Sequence, residues 1–586
     1  MKALTMIFAS ALGISVQVAD EMSVIKFNVT NSCEDCDLRG SKLSGASADF
    51  GAGSPIEGAS WVGSSKISKN ILFIMSDDHT TQGIGVYNSH LSALDPTPTL
   101  DKLATEGTIF RLAHSTNAIC SPSRAAILTG QYSHVNGVLD LHGNLPSERQ
   151  YLPQLLKKAG YETAIIGKWH LKSEPGAFDH YEVLRGQGTY FDPELRIQGD
   201  KPWPENVEQT VGHSSDIITD RALAWLKNRK SDKPFALFHH FKAPHDMFEN
   251  APRYNDYLAD IDIPEPNNLW NQAEWGSKGT RGVNDSLRDT IGSSVSHRNK
   301  YRNMATDLAE LHVKLQKKGD VRNLGIDLKI DLNLSDEDFT RQTYQTFIKR
   351  YLRCVKGVDD NIKRMLDYID DAGIADDTIV IYTSDQGFFL GEHDLIDKRW
   401  MYEEALNMPL IVKYPGKNQA PKQSKLIVNN TDFAPTVLGM IGVKTPSEMQ
   451  GRDFSAVFEG KAPDNWRNST YYRYWMNMAH HYNPAHFGIR TDKYKLIFFY
   501  GQHFVEGGSG KWPEERKQTG MRTPPAWELY DLSKDPHENI NEYSNPDYVG
   551  VIKQLKVELA QLREIYQDTD EHYPHLQELV QKHWID

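Results

Sequence analysis

Four short runs constrain the fold of this chain more than any other feature: "ILFIM" (71–75), "TAII" (163–166), "FALFHHF" (235–241) and "TIVIYT" (378–383). They are close to continuously apolar rather than alternating, the pattern of strands buried on both faces. Three of them follow a stretch of helical periodicity: "YLPQLLKKAG" precedes "TAII", "SDIITDRALAWLKNR" precedes "FALFHHF", and "VKGVDDNIKRMLDYIDDAG" precedes "TIVIYT". Gly160 and Gly373 stand just past the ends of two of these helices, where a left-handed residue is favoured. Helices alternating with apolar strands predict an α/β fold with a large, mixed but mostly parallel sheet covered on both faces.

At 586 residues the chain has room for more than one domain. Residues 249 to about 340 leave the alternation for polar, Pro- and Asn-containing sequence, with a helix expected near 298–317. After about 450 the texture turns to aromatic runs, "STYYRYWM" and "KYKLIFFY", followed by "YVGVIKQLKVELAQLREIYQ". These predict a smaller antiparallel sheet with a helix. The opening "MKALTMIFASALGISVQVAD" reads as a signal peptide over 1–19, and residues 20–68, rich in Gly, Ser and Ala, as an arm or linker. The main domain is then 69–450 and the C-terminal subdomain 451–586. Export implies a periplasmic or secreted protein. No later run approaches the roughly 18 apolar residues of a membrane span. A net charge of −13 without a long Lys/Arg block argues against nucleic acid as a partner.

The residues directly after each apolar run carry the chemistry. "ILFIM" leads into Ser76-Asp77-Asp78, "TAII" into Gly167-Lys168-Trp169-His170, "FALFHHF" into Lys242-Ala243-Pro244-His245, and "TIVIYT" into Ser384-Asp385-Gln386-Gly387. Ligands of an open α/β sheet bind at the carboxyl ends of its strands, so four such clusters can share one cleft. Singly, an Asp pair after a strand is a turn or cap, and a lysine or histidine is a surface residue. Repeated at four strand ends, they read as a site. Asp77, Asp78, Asp385 and the Gln386 amide oxygen are hard donors suited to Ca2+, or Mg2+, rather than zinc.

The four cysteines are Cys33, Cys36, Cys120 and Cys354. The Cys33–Cys36 pair lacks the second pair of a zinc site and reads as a local disulfide in an exported chain. Cys120 and Cys354 could be bridged or free, but "CSPSRAAILTG" (120–130) gives Cys120 a special setting. Pro122 and the apolar residues Ala125, Ile127 and Leu128 place Cys120 at a helix N-terminus, where free amides favour an anion or an ionised nucleophile. Arg124 can reach the same spot.

These residues resemble the Cys-x-Pro-Ser-Arg signature of the type I sulfatases, relatives of alkaline phosphatase. The resemblance also covers "SDDHT", "GKWHL", "KAPHDMF", "SDQGFFLGEH", "DKRWMYEE" and "WELYDLSKDPHEN", in the family's order, over roughly residues 68 to 586. It implies an alkaline-phosphatase-like fold and a sulfate ester hydrolase. It implies that a maturation enzyme oxidises Cys120 to Cα-formylglycine, whose hydrate attacks sulfur beside a divalent cation on Asp77, Asp78, Asp385 and Gln386. That set of ligands would include residue 120 itself. Arg124, Lys168, His245 and Lys398 would surround the sulfate, His170 would hold the formylglycine diol, and His245 or Lys398 would protonate the leaving alkoxide. Gln386 departs from the Asn, or His in some branches, found in many members.

The segment from Asp385 to Gly416 looks like bacterial sulfatases of sulfated polysaccharides, so an algal-type polysaccharide or oligosaccharide is the expected substrate. Small aryl esters or glycosaminoglycan-type sugars are the alternatives. Arg473, Trp475, His480, His481, His486 and Arg490 are candidate sugar contacts. A phosphomonoester or phosphonate hydrolase of the same superfamily, or a non-catalytic glycan-binding relative, would share the cleft. The first normally carries Ser or Thr as nucleophile, and the second should have lost a metal carboxylate or the cysteine.

Overall fold

The structure, a computed structural model, describes residues 15–18, 25–28, 69–230, 232–270, 274–281, 293–295, 334–508 and 520–586. The chain divides into two units, Met1–Gly53 and Ser54–Asp586. In the first, Ser15–Val18 pairs antiparallel with Ile25–Asn28. The remainder of the expected signal peptide and arm, Cys33, Cys36 and the helix near 298–317 lie outside the described residues.

The larger unit is built on a ten-stranded sheet. In chain order its strands are β1 (Asn70–Asp77), β2 (Thr108–Phe110), β3 (Glu162–Lys168), β4 (His180–Leu184), β5 (Glu194–Ile197), β6 (Val207–Gln209), β7 (Phe235–Pro244), β8 (Thr378–Ser384), β9 (Leu410–Lys413) and β10 (Gln423–Ser424). The spatial order is β10-β2-β9-β8-β1-β7-β3-β4-β5-β6. The four apolar runs are the four central strands, β8, β1, β7 and β3, side by side and parallel. The edges are mixed: β9 runs antiparallel to β8, and β5 antiparallel to β4. Because the centre is parallel, all four central strands present their carboxyl ends at one edge.

Alternation along β1 shows why its sequence has to be apolar throughout. Leu72 and Ile74 pack on one face with α3 (Ser214–Asn228) and α4 (Asp336–Asp371). Ile71, Phe73 and Met75 pack on the other with α1 (Cys120–Thr129) and α2 (Tyr151–Lys158). Gly160 and Gly373 take φ of 92° and 68°, and the amides of Tyr161 and Ile374 reach back to the carbonyls of Leu156 and Ile369 at 3.0 Å. Both helices therefore end on the expected left-handed glycine. The helix before β8 is much longer than its apolar stretch suggested, starting at Asp336 with Ser335 accepting from the Asp338 amide.

The C-terminal part forms the expected antiparallel sheet from β11 (Ser469–Tyr474), β12 (His486–Thr491), β13 (Tyr494–Phe499) and β14 (Ala526–Asp531). Helix α5 (Val549–Ile565) packs Leu555 and Leu559 against it. Among the described residues no helix is long and apolar enough to cross a membrane.

Candidate active site

The carboxyl edge of β8, β1, β7 and β3 brings the four polar clusters together as the sequence implied. Asp77 ends β1, Lys168 ends β3, His245 follows β7, and Asp385 and Gln386 follow β8. The turn after β1 is held from several sides. Asp78 sits at φ 67°, its carbonyl accepts from Tyr351 Oη at 2.9 Å, and the His79 amide donates to Ser384 Oγ at 3.0 Å. Asp385 Oδ1 accepts the Asp78 amide at 3.2 Å, tying the two acidic strand ends to each other.

Cys120 is the first residue of α1, buried, with Sγ donating to Asp77 Oδ1 at 3.3 Å. Cys354 is also a free buried thiol, so the two are not bridged. Burial pushes the Cys120 thiol up to about 12, with Lys398 and Arg124 opposing and Asp385 and Asp78 adding to the rise.

Arg124 is committed to its neighbours. Nε donates to Asp385 Oδ2 at 2.9 Å, Nη1 to the Lys168 carbonyl at 2.8 Å, and Nη2 lies 3.7 Å from Asp77 Oδ2. Lys168 Nζ contacts Asp77 Oδ2, and Lys398 Nζ donates to Asp78 Oδ2 at 2.5 Å. Burial disfavours both ammonium ions. Lys168, with Lys242 nearby, is held well below the usual lysine range, whereas Asp78, Cys120 and Asp397 lift Lys398 above it. Burial also raises Asp78, to about 7, with Lys398 opposing and Asp385 adding to the rise.

The histidines are neutral. Burial, reinforced by Lys398, lowers His245 to about 3, and burial with Lys168 and Arg124 takes His170 well below its usual range. His245 Nδ1 faces Asp246, with that residue's carbonyl at 2.8 Å, and Nε2 lies 3.7 Å from Asp78 Oδ2. His170 stands at φ 57° with Nδ1 buried and unpartnered.

A hard divalent cation fits this set of donors. Among the described residues, Asp77, Asp78 and Asp385 bring one carboxylate oxygen each within 4.8 Å of one another, all buried. Gln386 Nε2 donates to Asp78 Oδ1 at 2.5 Å, while its Oε1 is buried without a partner. Three carboxylates and an orphaned amide oxygen make an all-oxygen site of the kind calcium or magnesium takes. The longer stem of Gln386 thus still delivers its oxygen.

Some residues of the site lie in the quoted sequence blocks but were given no role there. Lys242 reaches over the Tyr190 ring at 4.9 Å, with its Nζ donating to the Asp246 carbonyl at 3.2 Å. Asp397 and Arg399 flank Lys398 and pair with each other, both buried and both at positive φ. Of the six suggested sugar contacts, His481 lies near them, its Nδ1 3.7 Å from Asp397 Oδ2. Four others are corrected. Arg473 is buried, donating to Asp568 at 2.5 Å and to Asp570 at 2.6 Å, with its guanidinium 3.6 Å from the centre of the buried Trp475 ring. His486 is fully buried among Trp400, Tyr472 and Phe499, and Arg490 is clamped by Glu403 at 3.1 Å. The side chain of His480 lies outside the described residues.

Comparison with known proteins places this geometry. The family model described as Sulfatase matches residues 69–443, and one described as N-sulphoglucosamine sulphohydrolase, C-terminal, matches 391–506. An N-acetylglucosamine-6-O-sulfatase of Bacteroides thetaiotaomicron is 38% identical over 518 residues, covering 86% of this chain and 87% of that protein. An ulvan-active sulfatase of Formosa agariphila is 26% identical, covering 84% and 80%. The solved structure of BT4656 with its substrate D-glucosamine-2-N,6-O-disulfate superposes with a TM-score of 0.71 at 36% identity, over 86% of this chain and 99% of that one. The chain belongs to the sulfatase family and is a sulfuric ester hydrolase with that family's alkaline-phosphatase-like fold.

Proposed function

We propose that this enzyme removes sulfate from a glycosaminoglycan-type amino sugar, an N-acetylglucosamine or glucosamine unit carrying a 6-O-sulfate. The observation that carries the reading is the 38% identity to an N-acetylglucosamine-6-O-sulfatase across 86% of the chain, against 26% to an ulvan-active sulfatase. These figures favour the glycosaminoglycan alternative over the algal substrate expected from the sequence.

Cys120 is read as the precursor of Cα-formylglycine, whose hydrated aldehyde supplies one hydroxyl to attack sulfur and a second to let sulfate go. A Ca2+ or Mg2+ ion on Asp77, Asp78, Asp385 and Gln386 Oε1 would supply positive charge next to residue 120. Counted in their usual ionised forms, these three carboxylates balance Arg124, Lys168 and Lys398, and the cation would add two positive charges to meet the monoanionic sulfate ester. Arg124 then acts by fixing Asp385 and Asp77. Lys168 donates toward the sulfate oxygens, and His170 Nδ1, unpartnered, is free for the group at position 120.

For the leaving alkoxide the geometry favours Lys398. His245 Nδ1 faces Asp246, so the single proton of the neutral ring resides there and Nε2 is left to accept. Lys398 Nζ holds its proton and lies between Asp78 and the Asp397–Arg399 pair, which we read as a contact for the sugar hydroxyls beside the scissile bond.

The test is sulfate release by enzyme co-expressed with a formylglycine-generating enzyme, measured on glucosamine-2-N,6-O-disulfate, N-acetylglucosamine-6-sulfate and sulfated ulvan oligosaccharides. The expected result is kcat/KM at least ~100-fold higher on the 6-sulfated amino sugars. Turnover of ulvan alone would restore the algal reading.

A further inference from the structure

Behind the Asp77–Asp78 turn, on lining residues distinct from the active-site cluster, lies a cavity of about 960 Å³. Its wall is acidic. Glu392 and Glu404, 3% and 4% exposed, line it beside Glu403, and Glu538 is buried next to them.

Two cations serve this group, and both are already engaged. Arg490 and Lys495 bind Glu403, at 3.1 and 2.9 Å, and Lys495 also binds Glu538 at 2.7 Å. Among the described residues, Glu392 and Glu404 have no cationic partner: Glu392 accepts the Leu390 amide at 2.7 Å and a long contact from Gln82 at 3.4 Å. Glu404 Oε2, buried against the cavity, accepts nothing. Its carboxyl is pushed up by burial and then by Glu392 and Glu538. A second oxygen donor of the lining, Asn407 Oδ1, is likewise buried and unpartnered. Among the described residues four acidic side chains face two cations, so the two left without a cation are buried either protonated or beside a further positive charge.

We propose that this cavity is a second metal site, holding a hydrated hard divalent cation between Glu392 and Glu404 with Asn407 Oδ1 as amide donor. Carboxylate and amide oxygens select calcium or magnesium, and the size of the cavity leaves room for the waters that complete the coordination of such an ion. The cation would join the turn after β1, through Gln82, to the segment that carries Lys398.

The experiment is equilibrium dialysis of the full-length protein against radioactive Ca2+ at neutral pH, with Mg2+ as competitor. Wild type is expected to bind one equivalent more than Glu404→Gln, and Glu392→Gln to weaken that equivalent at least ~10-fold. Asp78→Asn, which disables the active-site cluster, should retain the Glu404-dependent equivalent, so this site stands or falls separately from the proposed catalytic cation. Equal binding by wild type and Glu404→Gln, or no calcium bound by Asp78→Asn, would overturn the proposal. The carboxyls are then neutralised by protonation and the cavity holds water only. Should Glu404→Gln fail to fold, the wild type and Asp78→Asn measurements decide alone.

Discussion

At residue 120 the structure and the chemistry of sulfur argue in the same direction. A thiol raised to about 12 is almost wholly protonated at neutral pH, and so a poor nucleophile in the form the sequence encodes. Cys120→Ser supplies a hydroxyl of the same size but only one of them, so turnover should fall at least ~10³-fold while circular dichroism and melting stay at wild-type values. Serine at wild-type rates would show that the second hydroxyl is dispensable. Lys398→Ala separates proton donation from charge. If Nζ protonates the leaving oxygen, the variant should lose ~10²–10⁴-fold on a sugar sulfate, but under ~10-fold on an aryl sulfate whose phenoxide leaves unaided. Equal losses on the two substrates would make Lys398 an anion binder instead.

At the scale of elements, β11 supports the site rather than the sugar. Tyr472 accepts from the Ala118 amide at 3.3 Å and donates to the Arg399 carbonyl at 2.6 Å, so one hydroxyl steadies the approaches to both Cys120 and Lys398. Next to it, Arg473 is the centre of a buried network with Asp568, Asp570 and the stacked Trp475. Arg473→Ala should cost roughly 3–5 kcal/mol in urea unfolding, because it removes the cation shared by two buried carboxylates and leaves Asp570 only Arg563 and Asp568 only Tyr471 and His134, and should leave KM within twofold. A raised KM at unchanged stability would return Arg473 to sugar recognition. Arg, Trp and His in an aromatic run look alike whether a strand turns them to a sugar or to a core, and the partners that decide it, Asp568 and Asp570, lie far along the chain. The central strands were legible for the opposite reason: burial on both faces leaves no polar alternation, and Gly160 and Gly373 mark the helix ends. The flanking strands β2, β5, β6, β9 and β10 are two to four residues long, too short for any period to show. Asp77, Asp78, Lys168, His245 and Asp385 could be read because each lies at or just past the end of an apolar strand. Asp397 closes a three-residue strand, Leu395–Asp397, too short for any period to show, and Arg399 sits in the loop after it, whose course only the packing fixes.

At the scale of the molecule, a shared core joins the segments around Cys120 and Lys398 to the C-terminal sheet. Ala118, Ile119, Trp400, Met401 and Tyr402 pack with Tyr472, Tyr474, Ile497, Phe499 and Tyr530. The parts joined by this core should melt together, in a single calorimetric transition that coincides with the change in tryptophan fluorescence. Two resolved transitions would make residues 69–450 and 451–586 independent domains after all. The same enclosure imposes an order of events. Cys120 is 1% exposed, its backbone already wound into α1 and its sulfur against Asp77. If Cys120 is the formylglycine precursor proposed above, this burial puts its oxidation in the interval before the chain closes around it. On the proposed formylglycine reading, a molecule that folds unmodified would stay inactive even when a formylglycine-generating enzyme is supplied afterwards.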